Sequence, residues 1–259
     1  MSITFSVTDA LATITLARPS AHNALDAEMK IAFKNAVDAA RADKSVRAVL
    51  ITADGKNFCV GQDLGEHVAA LDADPATAMD TVESHYNPLI RSLRELGVPV
   101  VVAIPGACVG AGWGIALAGD IRIAGISTTF ATAFTGIGLA GDSGLSHALV
   151  ESLGASRAAA LLLLGDKVTA GQAETWGLVH RVVPDEEVRR TAETLAGALA
   201  AGPTEAYRQV KALVRAAATG LSEALDREAA AQTALGQTSD HRGAVSAFLA
   251  KQKPVFTGR

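Results

Sequence analysis

A chain of 259 residues with 49% hydrophobic and 19% charged residues is long enough for one sizeable core or two small ones. Its net charge of −4 comes without a basic block, so a nucleic-acid partner is not expected. Cys59 and Cys108 are too few for a disulfide scaffold, and no histidine pairs with Cys or His at metal-ligand spacing. The expectations are a reducing, cytoplasmic setting and no metal.

The N-terminal stretch MSITFSVTDALATITLARP alternates like strands and lacks a charged-then-apolar leader. ITFSVTD and LATITLA, around Asp9-Ala10, predict a hairpin. Asp26 precedes AEMKIAFKNAVDAARAD, an amphipathic helix with Met29, Phe33, Val37 and Ala40 on one face. RAVLIT is a short buried strand closed by Asp54-Gly55. PVVVAI (99–104) and DIRIAG (120–125) are further buried strands, with the short helix GWGIALAG between them. The long apolar stretch VPVVVAIPGACVGAGWGIALAG therefore reads as strand, turn and helix, not as a membrane span. This alternation predicts an α/β core with largely parallel pairing.

From Ser143 onward helical periodicity dominates, through SGLSHALVESLG, SRAAALLLLG, TAGQAETWG and longer helices to the C-terminus. Gly154 and Gly165 fit helix stops, and Thr169 with Gln172 fits a capping box. SRAAALLLLG is apolar nearly all round, which predicts a fully buried helix. The division expected is an α/β core over 1–195 and a helical region over 196–259, of the kind that covers a neighbouring subunit.

Three stretches can carry chemistry. In NFCVGQDL (57–64) the chain turns sharply after Gly61, which leaves the Gln62 amide free to donate; a plain structural turn is the alternative. In IPGACVGAGWGIALAGD (104–120), Gly106, Gly110, Gly112 and Gly114 precede a helix opening whose amides point outward at the positive dipole end. The spacing matches neither the phosphate loop nor the dinucleotide fingerprint. A second amide donor here, paired with Gln62, would form an oxyanion hole for a carbonyl that becomes an enolate; close backbone packing is the alternative. In GLAGDSGLSHALV (138–150), Asp142 is either the cap of the following helix or a base. Helix amides would lower its pKa, whereas a base needs burial in an apolar pocket. Ser143 and His147 lie at i, i+4 but without a GxSxG elbow or a third group, which argues against nucleophilic hydrolysis.

RPSAHNALD (18–26), FCVGQDL (58–64), VVAIPGACVGAGWGIALAGDIRIA (101–124), TAGQAETWGLVHRVV (169–183) and the ending AVSAFLAKQKPVFTGR resemble, in order and nearly end to end, the crotonase or enoyl-CoA hydratase/isomerase superfamily. The resemblance implies a spiral of ββα units with a C-terminal helical region, assembled as a homotrimer or a dimer of trimers. It implies an acyl-CoA thioester whose carbonyl oxygen lies between the amides of Gln62 and Gly112. Coenzyme A then arrives as part of the substrate, with no tightly bound cofactor and no membrane partner. Ala24, Val60, Gln62, Asp63 and Leu64 would contact the CoA, and Lys253 with Lys251 would reach a CoA phosphate of a neighbouring subunit, with Arg18 in a similar role; a solvated tail charge is the alternative for either lysine. Tyr86, on a helix with Glu83 and His85, would cover the acyl pocket, and Trp113, Phe134 and Ile137 would wall it.

The two glutamates of the family's hydratases fall at Gly114 and Phe134, neither of which can move a proton. GIGLAGDSG (136–144) is similar to the PDxG turn of the family's isomerases, with Gly141 in place of proline. With YNPLIRSL (86–93) and GAGWGIALAGD (110–120), it most resembles the epoxyphenylacetyl-CoA isomerases. The implied activity is isomerisation with Asp142 as the proton shuttle. An enoyl-CoA hydratase with atypical acid and base groups, and a non-catalytic acyl-CoA-binding protein of the same fold, stay open.

Overall fold

A computed structural model describes residues 1–216 and 221–258. Asp9 and Ala10 both take the left-handed conformation, φ 50° and 63°, as a two-residue hairpin turn requires. They join β1 (Ile3–Thr8) to β2 (Leu11–Leu16) in antiparallel register. Asp26 caps α1 (Ala27–Ala42) by accepting the Met29 N–H at 2.8 Å. The helix buries Met29, Phe33, Val37 and Ala40, the face its periodicity predicts.

Three turns of a ββα spiral follow. β3 (Ala48–Ala53) leads through a bridge at Cys59 into α2 (Leu64–Ala73) and then α3 (Asn87–Glu95). β4 (Val100–Ile104) leads through β5 (Ala107–Val109) into α4 (Ala111–Ala118). β6 (Ile121–Gly125) leads through β7 (Thr129–Ala131) into α5 (Leu145–Leu164). The spiral ends with β8 (Val168–Thr169), α6 (Ala170–Thr175) and β9 (Arg181–Val183), and Thr169 and Gln172 do form a capping box. The first strand of each turn joins a six-stranded sheet of order β1-β2-β3-β4-β6-β9, parallel beyond the hairpin. The second joins a small sheet of order β5-β7-β8, which Cys59 extends by its bridge to Cys108.

Both faces of the large sheet are covered, so every residue of β3 and β4 is buried and neither strand alternates. One face meets α1 and the main core. The other meets α7 (Val188–Ala200), whose Val188, Ala192 and Ala196 pack on Leu50, Val101, Ala103 and Ile123. This corrects the expected boundary at 195/196, which cuts a helix that belongs to the core through Ala200.

The expectation of a fully buried SRAAALLLLG helix is also corrected. Within the chain only Ala158 and Leu161 of this stretch are buried, and Leu163 and Leu164 are 72% and 71% exposed. An all-round apolar pattern cannot tell burial inside a chain from burial between chains. The helix Leu145–Leu164 is long and apolar enough to cross a membrane by composition, but Gly154, at φ 75° and ψ 162°, breaks its regular course.

Among the described residues three further helices follow, α8 (Thr204–Ala216), α9 (Leu221–Gly236) and α10 (Ser239–Leu249). α8 is tied to the core by charge. The buried Lys211 pairs with Asp120 and donates to Val98 O at 2.8 Å, while Arg215 donates to Leu96 O at 2.9 Å. Lys211→Met leaves Asp120 without its cation. It should cost about 2 kcal/mol in a urea titration, less than the roughly 3–5 kcal/mol of a fully buried pair because Asp120 keeps 33% side-chain exposure.

Candidate active site

The site forms where three backbone turns converge on α4. The first is at Gly61-Gln62. Leu25 N–H donates to Gly61 O at 2.8 Å and Leu25 O accepts from Asp63 N–H at 3.1 Å. In such a parallel bridge the intervening Gln62 N–H must face away from the partner strand. It has no backbone acceptor, as its place in FCVGQDL predicts. Gly61 takes φ 90°, and a Cβ there would lie 3.5 Å from the Ala111 nitrogen, so the chain around Gln62 runs close against the start of α4.

The second is the opening of α4. Gly110, at φ 57° and ψ −125°, holds a conformation suited to glycine, and its carbonyl accepts the N–H groups of Trp113 and Gly114 at 3.0 and 3.2 Å. The amides of Ala111 and Gly112 are left uncommitted at the positive end of the helix. Gly110 and Ala111 line a cavity of about 260 Å³ together with Gln62; Gly112, the expected second donor, does not. A Cβ on Gly112 would lie 2.5 Å from Cys59 O, so this glycine serves close packing and Ala111 takes its place at the cavity. The spacing of four nearby glycines could not tell the two roles apart.

The third turn carries Asp142, the one carboxylate lining the cavity among the described residues. Gly144, not Asp142, sits at the N-cap of α5, and no side chain caps that helix. Asp142 accepts instead from its neighbour, Ser143 Oγ to Oδ1, at 2.8 Å. Burial pushes its carboxyl above the ordinary value of 3.8, opposed by the Ser143 bond and the charge of Lys30. The turn explains Gly114 as well. A Cβ at 114 would stand 2.5 Å from Ser143 O, so backbone occupies the space a glutamate side chain would enter. His147 faces Glu151, at 3.2 Å, and is not joined to Ser143.

Val60, Leu64, Tyr86, Phe134 and Ile137 line the cavity, with Leu64 and Ile137 exposed at 62% and 59%. Tyr86 is buried on a π-helical turn, Val82–Tyr86, and donates its hydroxyl to Gln62 Oε1 at 2.6 Å. Burial first, and then the charge of Asp142, push its phenol well up, so it stays protonated. Glu83 is exposed on that turn and does not line the cavity.

Trp113 does not wall the cavity. It lies two residues, roughly 200°, round the helix from Ala111, and its ring packs in the core on Phe130 at 5.3 Å between centroids. Asp63 is also absent from the wall: it caps α2 through the Glu66 N–H at 3.1 Å and pairs with Arg18 at 2.6 Å, which engages both residues structurally. Ala24 is buried with its carbonyl on Arg18, and Lys251 and Lys253 are exposed on the C-terminal tail, away from the cavity lining.

The sequence reading missed Lys30, Glu66, Thr81 and His67. His67 and Thr81 line the cavity, while Lys30 and Glu66 form an ion pair behind Gln62 at 2.9 Å. The available signal was a lysine on the apolar stripe of α1, three residues before Phe33.

Residues 6–259 match the family described as Enoyl-CoA hydratase/isomerase. The chain is 40% identical over 249 residues to 1,2-epoxyphenylacetyl-CoA isomerase of Escherichia coli K12, covering 95% of each protein. It is 38% identical over 260 residues to a probable enoyl-CoA hydratase of Rhodobacter capsulatus, covering 100% of this chain and 98% of that one. Among solved structures, a putative enoyl-CoA hydratase/isomerase from Mycobacterium abscessus superimposes with a TM-score of 0.98 at 57% identity, covering 99% of this chain and all of that one. Fold, motif order and match along nearly the whole length agree: the chain belongs to the enoyl-CoA hydratase/isomerase, or crotonase, family.

Proposed function

We propose that the protein is an acyl-CoA isomerase that moves a double bond, or rearranges an epoxide, through a thioester enolate. The observation that carries this reading is Asp142, a partly buried carboxylate that faces the cavity and is not spent on capping a helix. The Gln62 and Ala111 amides receive the thioester oxygen and strengthen their hold as negative charge develops on it. Asp142 takes a proton from the carbon alpha to the thioester, the electrons pass to the oxygen, and the dienolate collapses as Asp142, whose proton exchanges with solvent, returns a proton at the gamma carbon. No electrons are gained or lost overall, so the step calls for no redox cofactor, and coenzyme A is part of the substrate. The apolar wall of Val60, Val82, Phe134 and Leu139 suits an uncharged acyl group. The assembly that suits this reading is a homotrimer or dimer of trimers in the cytoplasm, in which a neighbour covers the exposed Leu163 and Leu164.

The reading rests on proton movement, so deuterium tests it. With a 3-enoyl-CoA in deuterated water, the protein should migrate the double bond and exchange the alpha and gamma positions. Asp142→Asn should lower both by about 10²-fold or more. Water addition to a 2-enoyl-CoA that survives in the variant would instead identify a hydratase. Binding of acyl-CoA without exchange in the parent would identify a non-catalytic binder.

The rate should rise with pH along a limb whose midpoint lies above 3.8, because Asp142 must be ionised to act and burial holds its proton. The same shift has a stability cost of definite sign. The folded state holds this proton more tightly than the unfolded chain, so the contribution is full below the unfolded value and is lost as pH rises through the raised one. Asp142→Asn should therefore melt higher than the parent at neutral pH, with the gap closing in acid; scanning calorimetry across pH reads it.

Gly114→Glu, which restores the hydratase glutamate, should displace the Ser143 turn rather than create a hydratase. Loss of about 1–3 kcal/mol of stability, with no gain of water addition, is the expected result.

A further inference from the structure

Lys30 sits on the core-facing side of α1 with its side chain fully buried. A methionine there would fill the same space without the desolvation cost of a charge. Each N–H of the ammonium has its own acceptor: Thr81 Oγ1 at 2.7 Å, Glu66 Oε1 at 2.9 Å and Gln62 Oε1 at 3.1 Å. The nitrogen also lies 5.2 Å from the centroid of the Tyr86 ring. Glu66 is held in turn by Gln62 Nε2 at 2.9 Å and by the Ala27 N–H at 2.6 Å.

The Gln62 amide group is therefore gripped at both ends, its oxygen by a cation and its nitrogen by an anion, so it has one orientation. That same oxygen takes the Tyr86 hydroxyl proton. One ammonium thus joins four pieces of chain: α1, the turn at Gln62, α2, and the segment 81–86. α2 buries none of its residues, so polar contacts at its start are what fasten it.

We propose that Lys30 is a positioning residue: by clamping the Gln62 side chain and the 81–86 turn, it aims the Gln62 backbone N–H at the thioester oxygen and holds the Tyr86 hydroxyl on Gln62. The proposal rests on the enolate reading above, and its test separates the two. Lys30→Met removes the ammonium. Lys30→Met with Glu66→Gln removes both charges together, so no unpaired ion is left in the wall. Thr81→Val removes one acceptor with no change of charge.

The probe is the infrared carbonyl band of crotonyl-CoA bound to each protein, measured beside kcat and KM for 3-enoyl-CoA isomerisation. In the parent the band should fall below that of free crotonyl-CoA. In the double variant most of that displacement should vanish, and kcat should drop about 10-fold or more while KM changes by less than about threefold. Thr81→Val should move both readouts the same way by less. A folded double variant that keeps the parent's band and a kcat within about twofold of it overturns the role of Lys30 alone. An undisplaced band in the parent overturns the amide pair, and the proposal falls with it. If neither Lys30 variant folds, a Thr81→Val protein indistinguishable from the parent in both readouts also overturns the proposal.

Discussion

Everything at the site depends on how closely α4 can approach two other pieces of backbone. At Gly112 the helix lies against Cys59, and at Gly114 against Ser143, each so near that a Cβ would stand 2.5 Å from a carbonyl oxygen. Gln62 lies just beyond the first contact and Asp142 just before the second. A side chain at either glycine would push a turn away and separate the donors from the carboxylate. Interiors as dense as a protein core do not absorb such a shift, so the two missing side chains set the distance between the groups on either side of α4.

The electrostatics follow from that packing. Asp142 is drawn partly out of water with the Ser143 hydroxyl on its Oδ1, and burial keeps its affinity for a proton above that of an ordinary surface carboxylate. The wall opposite is richly paired. Tyr86 gives its proton to Gln62, and Gln62 is bracketed by Lys30 and Glu66. A site arranged this way leaves its one lining carboxylate with few partners and the groups around Gln62 with many.

Parts of this site were legible in the sequence and parts were not. Gln62 was recognisable because a glycine turn after a strand leaves one amide over, and Asp142 because its turn resembles the PDxG of the family's isomerases. Whether Asp142 caps the following helix was not legible. It depends on whether the α5 amides turn toward the carboxylate, and Gly144 in a left-handed conformation carries the helix start past it. Which of Gly112 and Ala111 reaches the cavity was not legible either, since the two differ in what they face and not in any local pattern. Trp113 reads as a pocket wall by size, yet the period of α4 turns it into the core.

What the sequence determined by itself is local and periodic. The Asp9-Ala10 hairpin, the face of α1, the unbroken apolar runs of β3 and β4 and the Thr169 capping box all follow from contacts within a few residues. The long match to one family added the spiral. Tertiary structure alone decided the rest, because it concerns residues far apart in the chain: Lys30 meeting Gln62, Glu66 and Thr81, α7 closing the second face of the sheet, and Gly114 yielding its space to Ser143. A periodic pattern says that a face is buried. Only the packed chain says what lies on the other side of it.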